Sequence, residues 1–250
     1  MRVIIAKELL VFHVEIGKPT VDWQFGKQLL ELFAEHDKRL VPQLLSVWND
    51  KVADFKDVED ARPHWAGVGQ LQVNGSTSEF HAGLGWRRNL TTKYQAEIKH
   101  EHQNVKGRYQ PASLSFYAKP HKSVDWRGFA ESLYELTDAQ YGFMHLYRDA
   151  HLRKDLSNAR EPTWIVGQRT PASIPQLGWS TFLGRPYAGV VGQFLERNQH
   201  ADHNVSVVKL GSGIAISLTE SIYCVADRFD VFSLKRAKVK SWFPENFFTM

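Results

Sequence analysis

The alternation of apolar and polar residues predicts a sheet built mainly from β-hairpins. The most regular run covers 93–102, and 112–118 is its predicted antiparallel partner across a short loop. Asn74-Gly75 lies between two further alternating runs, and this dipeptide is typical of a type I′ hairpin turn. The remaining predicted strands are 10–16, 71–73, 80–84, 143–147, 205–210 and 214–218.

Apolar residues at helical spacing predict helices between these strands. The predicted helices are 22–39, 125–136, 187–195 and 225–242. Asp22 and Asp125 are the predicted N-caps of the first two. Helices that lie between hairpins, rather than after every strand, favour an α+β fold with a mostly antiparallel sheet. No linker clearly divides the chain, so 1–250 is predicted to be a single domain.

Composition places the chain among ordinary globular proteins. It has 250 residues, of which 43% are hydrophobic and 23% charged, and a formal net charge of +4 at pH 7. That excess is too small to indicate a dedicated nucleic-acid-binding protein. No apolar run is long enough to span a membrane and none has the form of a signal peptide, so we expect a cytoplasmic protein that binds no membrane.

The histidines suggest one possible metal site. His100 and His102 are two residues apart in a predicted strand, so their side chains point to the same side, as in many metal sites on sheets. The same two residues would suit a half-buried sheet surface, and no third ligand has a recognisable spacing. A second pair, His200 and His203, has the pattern of a polar loop. A metal-dependent enzyme that uses His100 and His102 stays open as an alternative, but we predict no metal and no cofactor.

Nucleophilic catalysis has no sequence signature in this chain. It contains neither G-x-S-x-G nor the sequence context of a cysteine-protease nucleophile. Cys224 is the only cysteine, which excludes an intramolecular disulfide, and its apolar neighbours predict a buried structural thiol. We therefore predict no catalytic residue and a protein that is not an enzyme.

Two charged segments are candidate contact surfaces. Basic residues near the C-terminus, mixed with aromatic ones, could contact nucleic acid, although a solvated cationic helix face explains them better and no nucleic-acid partner is expected. They are Arg228, Lys235, Arg236, Lys238 and Lys240. Residues 50–60 are predicted to form an exposed acidic connection, where Asp54, Asp57, Glu59 and Asp60 could face a basic partner while contributing little to stability.

The most distinctive segment is 174–187, which reads IPQLGWSTFLGRPY. It resembles the block of a proline, a tryptophan and an aromatic-Leu-Gly-x-Pro-Tyr motif in the immunity protein 52 family of bacterial polymorphic-toxin and type VI secretion systems. Tyr141 to Leu146 resembles the Tyr-Gly-x-x-His strand of those proteins. Gly213 to Glu220, followed by Arg236-Ala237-Lys238, is similar to their closing hairpin and basic helix.

The resemblance implies a cytosolic immunity protein that binds and neutralises a cognate toxin, often a nuclease of restriction-endonuclease fold. An inhibitor of this kind needs no catalysis of its own. For the contacts with the toxin we add Trp164 to the four acidic residues above. The motif itself has a structural interpretation as the start of a helix that packs into the core, with two of its residues fixing a turn. Its residues are Trp179, Phe182, Leu183, Gly184, Pro186 and Tyr187.

Overall fold

A computed structural model describes residues 8–73, 76–104, 107–148, 173–197 and 205–249. Within these ranges the chain has an α+β fold, as predicted. The strands are β1 (Glu8–Glu15), β2 (Leu44–Val47), β3 (Asp50–Asp54), β4 (Val68–Val73), β5 (Ser76–His81), β6 (Leu84–Arg88), β7 (Tyr94–Lys99), β8 (His102–Gln103), β9 (Tyr109–Gln110), β10 (Ser113–Ala118), β11 (Tyr141–Arg148), β12 (Ser180–Leu183), β13 (Ser206–Leu210) and β14 (Gly213–Ser217). The α-helices are α1 (Trp23–His36), α2 (Trp126–Leu136), α3 (Ala188–Arg197), α4 (Cys224–Asp227) and α5 (Phe229–Lys240).

Ten of the strands form one antiparallel sheet in the order β13-β14-β12-β11-β1-β10-β7-β6-β2-β3. β4 pairs with β5, and β8 with β9, as two small separate ribbons. The predicted pairing of β7 with β10 is present, with Ile98 opposite Leu114. No helix in the described part of the chain is long and apolar enough to cross a membrane.

Helices α1 and α2 cover one face of the sheet through a cluster of aromatic rings. Phe33 of α1 contacts Phe129 of α2 at a centroid distance of 5.0 Å and Phe116 of β10 at 5.7 Å. Tyr134 of α2 stacks on Phe182 of β12 at 5.0 Å. All five side chains are at most 3% exposed, so this layer forms the centre of the core. Both helices begin at the predicted caps: Asp22 accepts the N–H of Gln24, and Asp125 that of Gly128.

The 3₁₀ turn after β12 and helix α5 cover the opposite face of the sheet near β11. Phe232 of α5 lies 5.5 Å from the ring of His145, and Tyr187 lies 6.1 Å from Tyr141. The backbone N–H of Trp179 donates to His145 Nδ1 over 3.1 Å. This hydrogen bond joins the Tyr-Gly-x-x-His segment to the tryptophan motif, so the two blocks of the resemblance belong to one structural unit.

Several local expectations were wrong. The acidic segment 50–60 is not a simple connection, because Asp50–Asp54 is an edge strand and Val58–His64 a 3₁₀ helix. The tryptophan motif enters a helix only at its end: Phe182 and Leu183 lie on β12, and the 3₁₀ turn Arg185–Tyr187 leads into α3. The last predicted helix breaks into α4 and α5 at Arg228, which has an extended φ of −142°. Cys224 is half-buried rather than buried.

Candidate functional site

The main candidate site is a cleft of about 430 Å³ beside the β4–β5 ribbon, which we call the aromatic cleft. It opens where β7 ends and the chain turns towards β8. Its volume lies in the range of pockets that hold small ligands or inserted side chains. The walls and floor include Trp48, Phe80, His81, Gly83 and His100.

Trp48 occupies the two-residue turn between β2 and β3 and is 68% exposed. Trp48 and Asn49 have φ values of 56° and 69°, as a type I′ turn requires. Asparagine tolerates this left-handed conformation, whereas a bulky side chain is strained there by about 1–2 kcal/mol. An exposed tryptophan in a strained turn adds little to the core, so this position suggests a role in binding.

Phe80 forms the second aromatic wall. Its ring meets the Trp48 ring edge-on at a centroid distance of 5.6 Å. Phe80 pairs with Gly69 across the β4–β5 ribbon, and a Cβ atom on Gly69 would lie only 2.7 Å from the Phe80 ring. Because Gly69 has no Cβ atom, the Phe80 ring can lie over its backbone.

A chain of hydrogen bonds behind the floor of the cleft fixes the proton position on His100. The hydroxyl of Thr20 donates to Glu101 over 2.7 Å, and Thr20 Oγ1 also lies 2.8 Å from His100 Nδ1. A hydroxyl has a single proton, so His100 Nδ1–H is the donor to Thr20. Nε2 is consequently an acceptor in the neutral ring. It is buried and has no hydrogen-bond partner among the described residues.

Burial keeps this imidazole neutral. Removal from solvent lowers the pKa of His100 to about 4; the Glu101 carboxylate opposes that shift, and His81 adds to it. Burial alone would raise the pKa of Glu101, but hydrogen bonds from Thr20 and from its own backbone outweigh it, so the pKa is lowered. At neutral pH the floor of the cleft thus has a carboxylate behind an uncharged histidine.

His81 and His102 also have their Nδ1 atoms directed to carbonyl oxygens. His81 Nδ1 lies 2.9 Å from the oxygen of Ala66, and His102 Nδ1 3.2 Å from that of His100. Such second-shell bonds are common around metal ligands. His102 is nevertheless exposed while His100 is 2% exposed, and no three His, Cys, Asp or Glu side chains among the described residues are placed to hold a metal ion.

The four acidic candidates have local partners in the structure. Asp54 pairs with Lys51 at 2.6 Å, and Glu59 with Lys27 at 3.1 Å. Asp57 and Asp60 form a capping box on the 3₁₀ helix that follows. Hydrogen bonds from the backbone N–H groups of residues 56 and 57 lower the pKa of Asp60. This capping geometry predicts that Asp57 and Asp60 contribute more to stability than charges in an exposed connection would.

The basic C-terminal residues partly cover aromatic rings. Arg236 lies 5.0 Å from the ring of Phe232, and Lys240 lies 4.8 Å from that of Phe248. Burial, with a smaller effect from nearby Arg236, lowers the pKa of Lys240. Arg236 and Lys240 therefore have a structural role on α5.

The motif residues of the resemblance lie inside the protein, apart from Pro186, which is exposed in the 3₁₀ turn. Trp179, Phe182, Leu183 and Tyr187 are at most 4% exposed. A Cβ atom on Gly184 would lie 2.1 Å from the carbonyl oxygen of Ala139, so only glycine fits there. Trp164 and the His200, His203 pair lie outside the described residues. Sequence reasoning missed Trp48 and Phe80 as site residues. The available signal was Asn49, a residue that tolerates a left-handed turn, directly after the mostly apolar run 44–48.

Comparisons with known proteins give a fold relationship. No family model and no curated protein matches the chain. Among solved structures, the Pseudomonas aeruginosa T6SS protein PA0821 is similar, with a TM-score of 0.54 over 85% of this chain and 68% of that chain. The two sequences are 11% identical, so this similarity shows a shared fold alone.

Proposed function

We propose that this protein is a cytosolic immunity protein that binds and neutralises a cognate secreted toxin without catalysis of its own. The observation that carries the proposal is Trp48, a largely exposed aromatic residue held in a strained turn at the mouth of a cleft. Tryptophan is among the residues that most often dominate protein interfaces. A side chain that gains little from folding and sits beside a cleft is suited to contact with a partner.

Two further facts support this choice of partner. The sequence resembles immunity proteins of polymorphic-toxin and type VI systems, and the similar solved structure is named as a T6SS protein. The hairpin that holds Trp48 also carries Asp50 and Asp54, both exposed, with Asp54 paired to Lys51. Carboxylates at this edge suit a basic toxin such as a nuclease, because opposite charges increase the rate of association.

The proposal is tested with the product of the gene next to the coding sequence. We expect that product to inhibit growth when expressed alone, to be tolerated when this protein is co-expressed, and to co-purify with it. For variants of the cleft, Leu234→Ser is the matched control, because Leu234 is a 72% exposed apolar residue on α5, away from the cleft. Growth inhibition that this protein does not relieve, with no complex on co-expression, would reject the immunity role.

A further inference from the structure

His100, which lines the aromatic cleft, has an unsatisfied hydrogen-bond acceptor within the described part of the chain. His100 Nε2 is an acceptor without a partner among the described residues, and its ring is 2% exposed. A buried acceptor left unpaired costs about 1–3 kcal/mol, which a bound N–H or O–H group would recover. Purely apolar occupants, such as leucine or phenylalanine side chains, leave that acceptor unpaired.

The walls favour a flat, cationic occupant. Trp48 and Phe80 present aromatic surface on one side of the cleft. A guanidinium group stacks on such rings and is weakly hydrated, so it enters an aromatic cleft more readily than an ammonium group does.

The rim favours positive charge. Glu79 and Glu97 line the cleft with one cation, Lys99, and all three are exposed. The adjacent turn leads into Asp50, which is also exposed. These carboxylates favour a cationic occupant over a phenol or an indole, each of which is neutral and has a single donor.

We propose that the aromatic cleft is a socket for an arginine side chain of the partner protein. The guanidinium stacks against Trp48 and Phe80 and donates an N–H to His100 Nε2, while the exposed carboxylates of Glu79 and Glu97 balance its charge. The proposal rests on the proposed function only in assigning the arginine to a toxin, because the chemistry of the cleft can be measured with the protein alone.

The experiment titrates the full-length protein with capped arginine, N-acetyl-arginine methylamide, and follows the side-chain NMR signals of His100 and Trp48. The comparison probes are the capped forms of citrulline, which lacks the charge, lysine, which lacks the planar fork, and tyrosine. We expect arginine to shift both signals and to bind at least about fivefold more tightly than each comparison probe, which corresponds to about 1 kcal/mol.

Two variants locate the bound arginine. Trp48→Gly removes a wall at an exposed position, and His100→Asn keeps a donor towards Thr20 but lacks the Nε2 acceptor. Trp48→Gly is expected to abolish the shift of the His100 signal and His100→Asn that of the Trp48 signal, whereas Leu234→Ser retains both. Equal binding of citrulline, tighter binding of tyrosine, or unchanged arginine binding by Trp48→Gly would overturn the proposal.

The outcomes separate the two proposals. Arginine bound in the cleft by a protein that fails to protect cells from the neighbouring gene product would support the socket and reject the immunity role. If the protein protects cells but its cleft does not bind capped arginine, the immunity role is supported and the arginine socket is rejected.

Discussion

Trp179 and Trp48 mark two regions of the molecule in which the same residue type has opposite surroundings. Trp179 is 1% exposed, and its indole N–H donates to the backbone oxygen of Thr219 over 3.1 Å. Trp48 is 68% exposed, in a strained turn. The distinctive sequence motif thus belongs to the core, while the aromatic residue available to a partner lies where the sequence has no such motif. The residues that carry the sequence resemblance need not be those that contact a partner.

Removing Trp179 is expected to have the largest effect on stability. Trp179→Ala leaves a large cavity and removes an indole hydrogen bond, so we expect it to lower the free energy of unfolding by about 3–5 kcal/mol in denaturant titrations. Any protein that remains folded keeps its partner affinity. A stable Trp179→Ala protein that lost only its partner would reverse the roles given to the two tryptophans.

The aromatic cleft predicts a dependence of stability on pH. Because the pKa of His100 is about 4 in the folded protein and near 6.5 when unfolded, the unfolded state binds more protons between these values. Stability should therefore fall, by on the order of 2–3 kcal/mol, as the pH decreases from about 6.5 to 4. The lowered pKa of Glu101 adds a further loss at the acidic end.

Chemical denaturation at several pH values measures this dependence. His100→Asn should flatten the profile above pH 5, while His102→Asn, at an exposed position, should leave it as in the wild type. A wild-type profile that is flat between pH 6.5 and 5 would show that His100 is not held neutral by burial.

The strain at Trp48 predicts a difference between two small substitutions. Glycine adopts the left-handed conformation freely, whereas alanine does not, so Trp48→Gly should be more stable than Trp48→Ala by about 1 kcal/mol. Thermal unfolding of both variants beside the wild type checks this. Equal stability of the two variants would remove the argument that the turn is strained.

The acidic segment predicts the smallest effect and separates two kinds of carboxylate. Asp57→Ala removes a cap of the 3₁₀ helix and should cost about 0.5–1 kcal/mol. Asp54→Ala, at an exposed ion pair, should cost less than about 0.5 kcal/mol. If urea titrations show that both variants lose the same free energy of unfolding, the capping box does not stabilise the protein. For the same reason, charge reversal for binding studies belongs at Asp50 and Asp54, not at the capping residues.

The sequence sufficed for the parts of the fold that depend on local periodicity. The alternation in β7, the cap of α2 at Asp125 and the β13–β14 hairpin are all present, because each is set by neighbouring residues. The strand at Phe182 was missed because four buried residues in a row show no alternation. The cleft was missed because it joins the β2–β3 turn, β5 and β7, which only the fold brings together.

The central claim is that Trp48, rather than the tryptophan motif, contacts the toxin. Calorimetric titration of the neighbouring gene product into wild type, Trp48→Gly and Leu234→Ser tests it most directly. We predict that Trp48→Gly weakens the affinity at least about 30-fold, the loss of a 2 kcal/mol interface hot spot, with unchanged thermal stability or better. Leu234→Ser should bind as the wild type does. Wild-type affinity in a folded Trp48→Gly protein would contradict the account.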